Sequence, residues 1–298
     1  MIRFPAEWEP QSGVFIAWPH ASGDFGGALP AVEKTYVRIA REISLREPIV
    51  VACKDNAHRS HIEALLGDAS SRLENLVPLQ LPYNDTWVRD TAPLTVITPE
   101  RAKLLDFKFN GWGGKYACQA DDALARNLFK KGKFRNAQYQ RLNLVLEGGS
   151  IECDGDGTLL TTSNCLLNPN RNPGMDIGEL EAILKERLGV RRILWLDHGH
   201  LEGDDTDAHI DTLARFCAED TIAYTACHGT EDPHYAQLQA MREQLREMTR
   251  ENGEPYRLVE LPLPAPIRSR QGTRLPANYA NFLVLNEAVL VPVYDDPG

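Results

Sequence analysis

Short, β-rich apolar runs alternate with amphipathic helical stretches along the whole chain, and this alternation restricts the fold more than any other feature. Strand candidates lie at 12–19, 48–53, 92–98, 103–109, 149–162, 192–196, 209–217, 221–227, 256–263 and 281–294, and helix candidates at about 29–46, 56–68, 119–130, 177–188 and 233–251. Turn signals at 154–157, 218–220 and 286–287 predict hairpins. The repeated order of strand, hairpin, helix and strand predicts an α/β protein built from β-β-α-β units.

The length of 298 residues leaves room for one large globular domain or two ordinary ones, and the composition disfavours some classes of partner. With 32 Lys and Arg against 42 Asp and Glu, the net charge of −10 argues against nucleic acid and suits a small cationic substrate. No apolar run approaches the roughly 20 residues that span a bilayer, and the first residues lack a signal peptide's apolar segment. We therefore expect a cytoplasmic protein with no membrane partner; a homodimer is left open.

Six cysteines are scattered along the chain without a CxxC pair, which predicts reduced, mostly buried thiols. They are Cys53, Cys118, Cys153, Cys165, Cys217 and Cys227.

Polar side chains stand where predicted strands begin or end. In YNDTWVRDTAPLTV, Trp87 and Asp90 precede a strand, although an Asx-type turn with a packed tryptophan accounts for them equally. FNGWGGKY has the glycines of a tight turn but not the GK[ST] ending of a phosphate loop. Glu147 follows apolar LNLVL and precedes two glycines, so its carboxylate should emerge at a strand end, as a functional acid or as an ordinary turn residue.

The densest set of acids and imidazoles is WLDHGHLEGDDTDAHID. In the predicted strand at its end, alternation places His209 and Asp211 on one face. A carboxylate beside an imidazole raises the imidazole pKa and fixes its tautomer, which suits a general acid and base. A zinc site is the alternative, with His198 and His200 as further ligands. The absence of an HExxH pattern argues against zinc without deciding the question.

Seven segments stand in order along the chain: FPAEWEPQSGVFIAWPH, NDTWVRDTAP, FNGWGG, LEGGSIE, LLNPNRNP, GDDTDAHIDTLARF and RLPANYANFLVLNEAVLVPVYDD. Together they resemble the agmatine deiminase and bacterial-type peptidylarginine deiminase family, part of the guanidine-modifying superfamily. The resemblance covers essentially the whole chain and implies a single deiminase domain over residues 1–298. It implies a pentein fold, a propeller-like arrangement of five β-β-α-β modules around a pseudo-fivefold axis, with the active site in the central channel. It implies no metal and no cofactor.

The resemblance also implies a substrate and its contacts. The expected reaction is hydrolysis of agmatine to N-carbamoylputrescine and ammonia, in putrescine and polyamine biosynthesis. Asp90 and Asp211 match the family positions that hold the guanidinium, whose fixed donors suit paired carboxylates. Trp87 matches an aromatic wall of the pocket, where cation–π attraction helps. Asp205 is the candidate for the substrate's distant amine.

The implied chemistry needs a proton shuttle and a nucleophile. His209 matches the general acid and base, and Glu147 matches the acid that orients it. The family's nucleophilic cysteine lies in a Gly-rich segment ending in His-Cys, well beyond the VPVYDD-like strand. Cys153, Cys165 and Cys217 lack this context and are interpreted as core. We therefore expect the nucleophile beyond Gly298, a fifth module without its last helix and strand, and no turnover by these 298 residues.

Three other functions stay open. Free arginine or peptidylarginine is the alternative substrate, although an acidic pocket favours agmatine, which carries no carboxylate. A non-catalytic protein that binds guanidinium ligands is the second alternative, because the expected nucleophile is missing. The third is a metal hydrolase built on His198, His200, His209 and Asp211.

Overall fold

The computed structural model describes residues 2–132, 134 and 136–294. Its strands are β1 Val14–Ala17, β2 Ile49–Cys53, β3 Leu76–Gln80, β4 Leu94–Ile97, β5 Ala102–Lys108, β6 Gln138–Val145, β7 Ile151–Cys153, β8 Thr158–Thr162, β9 Arg192–Leu196, β10 Ala214–Ala218, β11 Thr221–Ala226, β12 Arg257–Pro262, β13 Leu283–Leu285 and β14 Ala288–Leu290. Its helices are α1 Leu29–Ser44, α2 Asn56–Asp68, α3 Val88–Thr91, α4 Gly111–Gly114, α5 Gln119–Asp122, α6 Leu124–Lys130, α7 Ser163–Leu166, α8 Ile177–Leu188 and α9 Tyr235–Glu247. Short 3₁₀ turns lie at Gly26–Ala28, Leu73–Asn75, Gly148–Ser150 and Ile210–Thr212.

The strands of the described residues form five separate small sheets that follow one another along the chain. In β4–β6, β7–β9 and β10–β12, an antiparallel pair is followed by a helix and a third strand that joins in parallel. This is the predicted β-β-α-β order. The first sheet, β1–β3, is entirely parallel, with α1 and α2 as its crossovers. The fifth contains β13 and β14 as an antiparallel pair.

Local signals in the sequence explain the ends of the long helices. Asp55 accepts a hydrogen bond from the backbone N–H of His58 and caps α2. Asp176 and Glu179 form a capping box at the start of α8, and Gly189 ends that helix in the left-handed conformation, with φ of 73°. Helix α9 ends at Glu247, earlier than predicted, because the next residue is extended and Thr249 pairs with Pro255 in an isolated bridge.

Apolar side chains fill the space between the sheets and their helices. The largest clusters pack β10 and β11 against α9, and β7 and β8 against α8. A third cluster around Trp18 joins β1 and β2 to α1 and α2 and includes Leu285 of β13. Among the described residues, no helix is long and apolar enough to cross a bilayer.

The fold confirms the predicted mixture of helices and strands but differs from the sequence interpretation in detail. Strands β3 and β6 were not among the strand candidates, since Pro78 and the polar alternation of QYQRLNLV weaken their β signal. The module count, the pseudo-fivefold arrangement and the single domain stay predictions. The expected exit of the chain at Asp295 and Gly298 lies outside the described residues.

Three turns at strand ends lie together in the interior and carry residues of the candidate site. Helix α3 packs against the turn Gly148–Ser150, which packs in turn against Ile210–Thr212. These turns come from three consecutive sheets, so residues that lie about sixty positions apart in sequence become neighbours.

Candidate active site

Gly149 is the point at which the three turns converge. Its N–H donates to Oδ1 of Asp90 at 2.9 Å. A methyl group at this position would lie 2.6 Å from Oδ2 of Asp211, 2.7 Å from Nδ1 of His209 and 2.8 Å from Oδ1 of Asp90. The two carboxylates and the imidazole therefore lie so close to Gly149 that no larger residue fits there without moving them.

Asp90 lies between an imidazole and an indole. Its Oδ1 is 3.6 Å from Nδ1 of His209, and its Oδ2 accepts a hydrogen bond of 2.9 Å from Nε1 of Trp112. The indole reaches it because Trp112 and Gly113 take left-handed backbone conformations, with φ of 54° and 84°. The FNGWGG segment thus functions as a turn that fixes one of the two acids.

The imidazole of His209 is buried, with 1% of its surface exposed. Burial works to lower its pKa, but Asp90, the Cys165 sulfur and Asp211 outweigh burial and raise this pKa well above the ordinary value. Nε2 of His209 is buried and has no hydrogen-bond partner among the described residues. The Cys165 sulfur lies beside the ring and favours its protonated form.

Asp211 is also buried, and burial raises its pKa to about 6. The cationic His209 and Arg89 oppose this rise, whereas the carboxylate of Asp90 adds to it. Two carboxylates that face one space repel each other unless a cation lies between them. The site therefore has the electrostatic character of a cation pocket.

Glu147 and Cys165 lie on the other side of the imidazole. Ligand atoms of Glu147, Cys165 and His209 are all within 4.8 Å of one another, a spacing compatible with a metal ion. However, both carboxylate oxygens of Glu147 accept from Nε of Arg171, at 3.0 and 3.1 Å. The buried guanidinium of Arg171 already neutralises the carboxylate of Glu147. Glu147, Cys165 and His209 therefore fit a site in which this carboxylate is paired with an arginine better than they fit a metal site.

The interpretation of Cys165 as core therefore needs refinement. The residue is fully buried, as expected, but its sulfur contributes to the surroundings of His209. Burial raises the pKa of this thiol, and His209 works against that rise. A buried, protonated thiol is a poor nucleophile, so the position gives no reason to assign Cys165 the covalent step.

The predicted strand at 209–217 is wrong in its first half. Ile210–Thr212 is a 3₁₀ turn and β10 begins at Ala214, so His209 and Asp211 do not alternate along a strand. Side chains satisfy the preceding backbone: Thr206 Oγ1 accepts from the N–H of His209 and Asp204 accepts from that of Ala208. These hydrogen bonds replace a strand ladder, and the turn aims both side chains at Gly149.

Aromatic rings and acids line the exposed side of the site. Trp87 is 41% exposed, and its Nε1 donates to Asp24 at 3.0 Å. Asp205 is exposed and accepts a hydrogen bond from the hydroxyl of Tyr116. Burial raises the pKa of Asp24, and the carboxylates of Asp85 and Asp205 contribute to that rise. Asp205 thus lies beside the aromatic rings on the exposed side of the site.

His198 and His200 are not part of this arrangement. Both are exposed, and the ring of His200 lies 6.4 Å from that of His234, on the segment before α9. Within the residues that the structure describes, neither joins His209 and Asp211 in a group of potential metal ligands.

The structure adds four residues that sequence reasoning did not assign: Asp24, Trp112, Cys165 and Arg171. Trp112 and Arg171 lie in the quoted segments FNGWGG and LLNPNRNP, whose glycine and asparagine spacing drew attention to the turns rather than to these side chains. No local signal distinguishes Asp24 or Cys165, because their partners lie 63 and more than forty residues away.

Comparison with known proteins gives this fold and site a family. A sequence profile described as Porphyromonas-type peptidyl-arginine deiminase matches residues 3–298. The chain is 32% identical over 319 residues to an agmatine deiminase of Pseudomonas aeruginosa, covering 99% of this chain and 84% of that protein. The chain therefore belongs to the Porphyromonas-type peptidyl-arginine deiminase family, which confirms the resemblance found in the sequence.

Solved structures agree with this assignment. A putative arginine deiminase from Porphyromonas gingivalis matches with a TM-score of 0.93 and 44% identity, over 100% of this chain and 86% of that one. A Cys-to-Ser variant of C. jejuni agmatine deiminase with substrate bound matches with a TM-score of 0.90 and 36% identity, over 100% and 84% of the two chains.

Proposed function

We propose that this protein hydrolyses agmatine to N-carbamoylputrescine and ammonia. The observation that carries the proposal is the meeting of Asp90, Asp211 and the buried imidazole of His209 around Gly149. A guanidinium that binds beside these groups has two carboxylates to accept its N–H groups and an imidazolium to donate a proton. Relatives named agmatine deiminase support the assignment.

The acids act first, in binding. Asp90 and Asp211 each accept N–H groups of the planar guanidinium, and the cation removes the repulsion between them. The hydrogen bond from Trp112 and the N–H of Gly149 fix Asp90, so little ordering remains to be done when substrate binds.

His209 then moves the protons. A cysteine thiolate forms a bond to the guanidinium carbon, the bond from that carbon to one NH₂ group breaks, and ammonia leaves with a proton from the imidazolium. Water next gives a proton back to His209 and attacks the same carbon. The C–S bond breaks, the thiolate is restored, and the hydroxyl proton is lost to the released ammonia as the urea carbonyl forms. The raised pKa of His209 suits its role as the acid of the first half. None of the cysteines among the described residues is assigned as the source of this thiolate.

Charge at the exposed side favours agmatine over arginine. Asp24 and Asp205 lie around Trp87 and Tyr116, so a ligand tail with an ammonium group is attracted there and one with a carboxylate is repelled. The relative named putative arginine deiminase keeps arginine as the alternative substrate, and the family description keeps peptidylarginine. A guanidinium-binding protein without turnover is the remaining alternative for these 298 residues.

The test combines ammonia release with calorimetry on the purified chain. We expect agmatine to bind more tightly than arginine, and D90N to lose this binding, while H61N at an exposed histidine serves as control. Absence of agmatine binding would overturn the proposal, and tighter binding of arginine would transfer it to that substrate. Ammonia release from agmatine would support hydrolysis and would overturn both the guanidinium-binding alternative and the expectation that these residues have no turnover. A cytoplasmic location, a role in polyamine biosynthesis, a single deiminase domain and a homodimer stay predictions.

A further inference from the structure

Arg171 is a fully buried cation to which the proposed mechanism gives no task. It lies in the LLNPNRNP segment after α7, and its side chain is 0% exposed. Its Nε donates to both oxygens of Glu147, its Nη1 to Oδ2 of Asp207 at 2.7 Å and its Nη2 to the carbonyl oxygen of Thr206 at 2.8 Å. One guanidinium thus joins the acid beside His209 to the loop that carries His209.

That loop has an unfavourable backbone conformation. Asp207 and Ala208, the two residues before His209, have φ of 68° and 67°. Left-handed conformations are costly for residues with a Cβ atom and persist only where surrounding contacts enforce them. Arg171 supplies two of these contacts, and Thr162 Oγ1 supplies another by donating to the carbonyl oxygen of Ala208 at 2.7 Å.

A third loop closes over this pair. Gly113 is so near that an added methyl group would lie 3.8 Å from Nη1 of Arg171 and 3.9 Å from Oδ2 of Asp207. The same loop delivers Trp112 to Asp90, and Nδ2 of Asn110 donates to the carbonyl oxygen of Asn170 at 2.8 Å. Arg171 therefore lies where the loops that bear the acid, the imidazole and the indole come together.

We propose that Arg171 is a positioning residue for His209: it fixes Glu147 and the strained Asp207–Ala208 backbone together, and so sets the place and charge environment of the imidazole without touching substrate. This inference rests on the proposed function for its catalytic meaning, but its structural content can be tested without turnover.

The positive charge of Arg171 affects the protonation of the His209 imidazole, which can be measured. In the native site its cation compensates Glu147. Without it, His209 becomes the nearest cationic partner of that carboxylate, which favours the protonated imidazole. A purely structural arginine would affect stability but not the titration of His209.

The variants are R171M, which removes charge and hydrogen bonds, and R171K, which keeps the charge but not the planar fork. R141M is the matched control, because Arg141 also bridges two carboxylates, Asp106 and Asp122, away from His209. Folding is verified by circular dichroism. The His209 titration is followed by NMR of the imidazole carbon, assigned with H209N, and the 204–209 backbone by hydrogen exchange.

We expect R171M to titrate His209 about one pH unit higher than the native chain and to speed exchange in 204–209. R171K should keep the native titration but show the faster exchange. An unchanged titration in folded R171M, or the same change in R141M, would overturn the inference. If R171M does not fold, hydrogen exchange in R171K tests the inference instead. Native exchange rates at 204–209 in R171K would contradict the proposed positioning role. If the native chain does not bind agmatine, this result counts against the proposed function and not against the positioning role of Arg171.

Discussion

Replacing Gly149 by alanine tests the site more directly than removing any of its charged groups. The φ of Gly149 lies outside the left-handed range, so alanine is allowed by the backbone. The added methyl group meets Asp211, His209 and Asp90 at 2.6, 2.7 and 2.8 Å, well inside ordinary van der Waals contact. G149A therefore changes the space between the functional groups while keeping all of them.

The structure indicates how the free-energy cost of G149A divides between folding stability and agmatine binding. All three atoms are ends of side chains, so they can rotate away, and overpacking of this kind costs about 1–3 kcal/mol. Alanine recovers about 0.4–1 kcal/mol by restricting the unfolded chain, which leaves a loss of folding stability of about 0–2.6 kcal/mol. Rotation of the carboxylates removes them from the guanidinium. We therefore expect agmatine affinity to fall at least about tenfold, or about 1.4 kcal/mol.

The assay is calorimetry with agmatine, together with urea denaturation of the same samples. G67A is the matched control, because Gly67 lies in α2 with no heavy atom within 4 Å of an added methyl group. That variant should gain up to about 1 kcal/mol of stability and bind as the native chain does. Native agmatine affinity in folded G149A would refute the placement of the guanidinium between Asp90 and Asp211.

Two further predictions concern charge. Agmatine affinity should rise with pH through about 6, by up to about tenfold per pH unit below it, because the pKa of Asp211 is raised to about 6 and its carboxyl must lose its proton to bind a cation. A flat affinity profile between pH 5 and 7, measured by calorimetry, would contradict this prediction. R215M should lower the free energy of unfolding by about 3–5 kcal/mol, measured by urea denaturation. The variant leaves the buried carboxylate of Glu152 without its closest cation. A loss of stability below about 1 kcal/mol would show that Glu152 is neutral in the native state.

Much of the local structure follows from the sequence because its causes are local. Helices α2 and α8 have the predicted bounds, since capping acids and apolar spacing operate within a few residues. Strand β9 is likewise found at the predicted residues, and the turn at 154–157 forms a hairpin. Strand β3 was missed because its stability comes from pairing with β2, a contact across more than twenty residues.

The sequence by itself determined the class of chemistry: it named Asp90, Glu147, His209 and Asp211, and the comparisons confirm the family from which these roles were inferred. The tertiary structure alone decided how they meet. It placed Asp211 in a turn rather than a strand, because side-chain hydrogen bonds replace the ladder before it. It also raised the pKa of His209, because an imidazole's proton affinity depends on neighbours brought together by folding and not on neighbours in the chain.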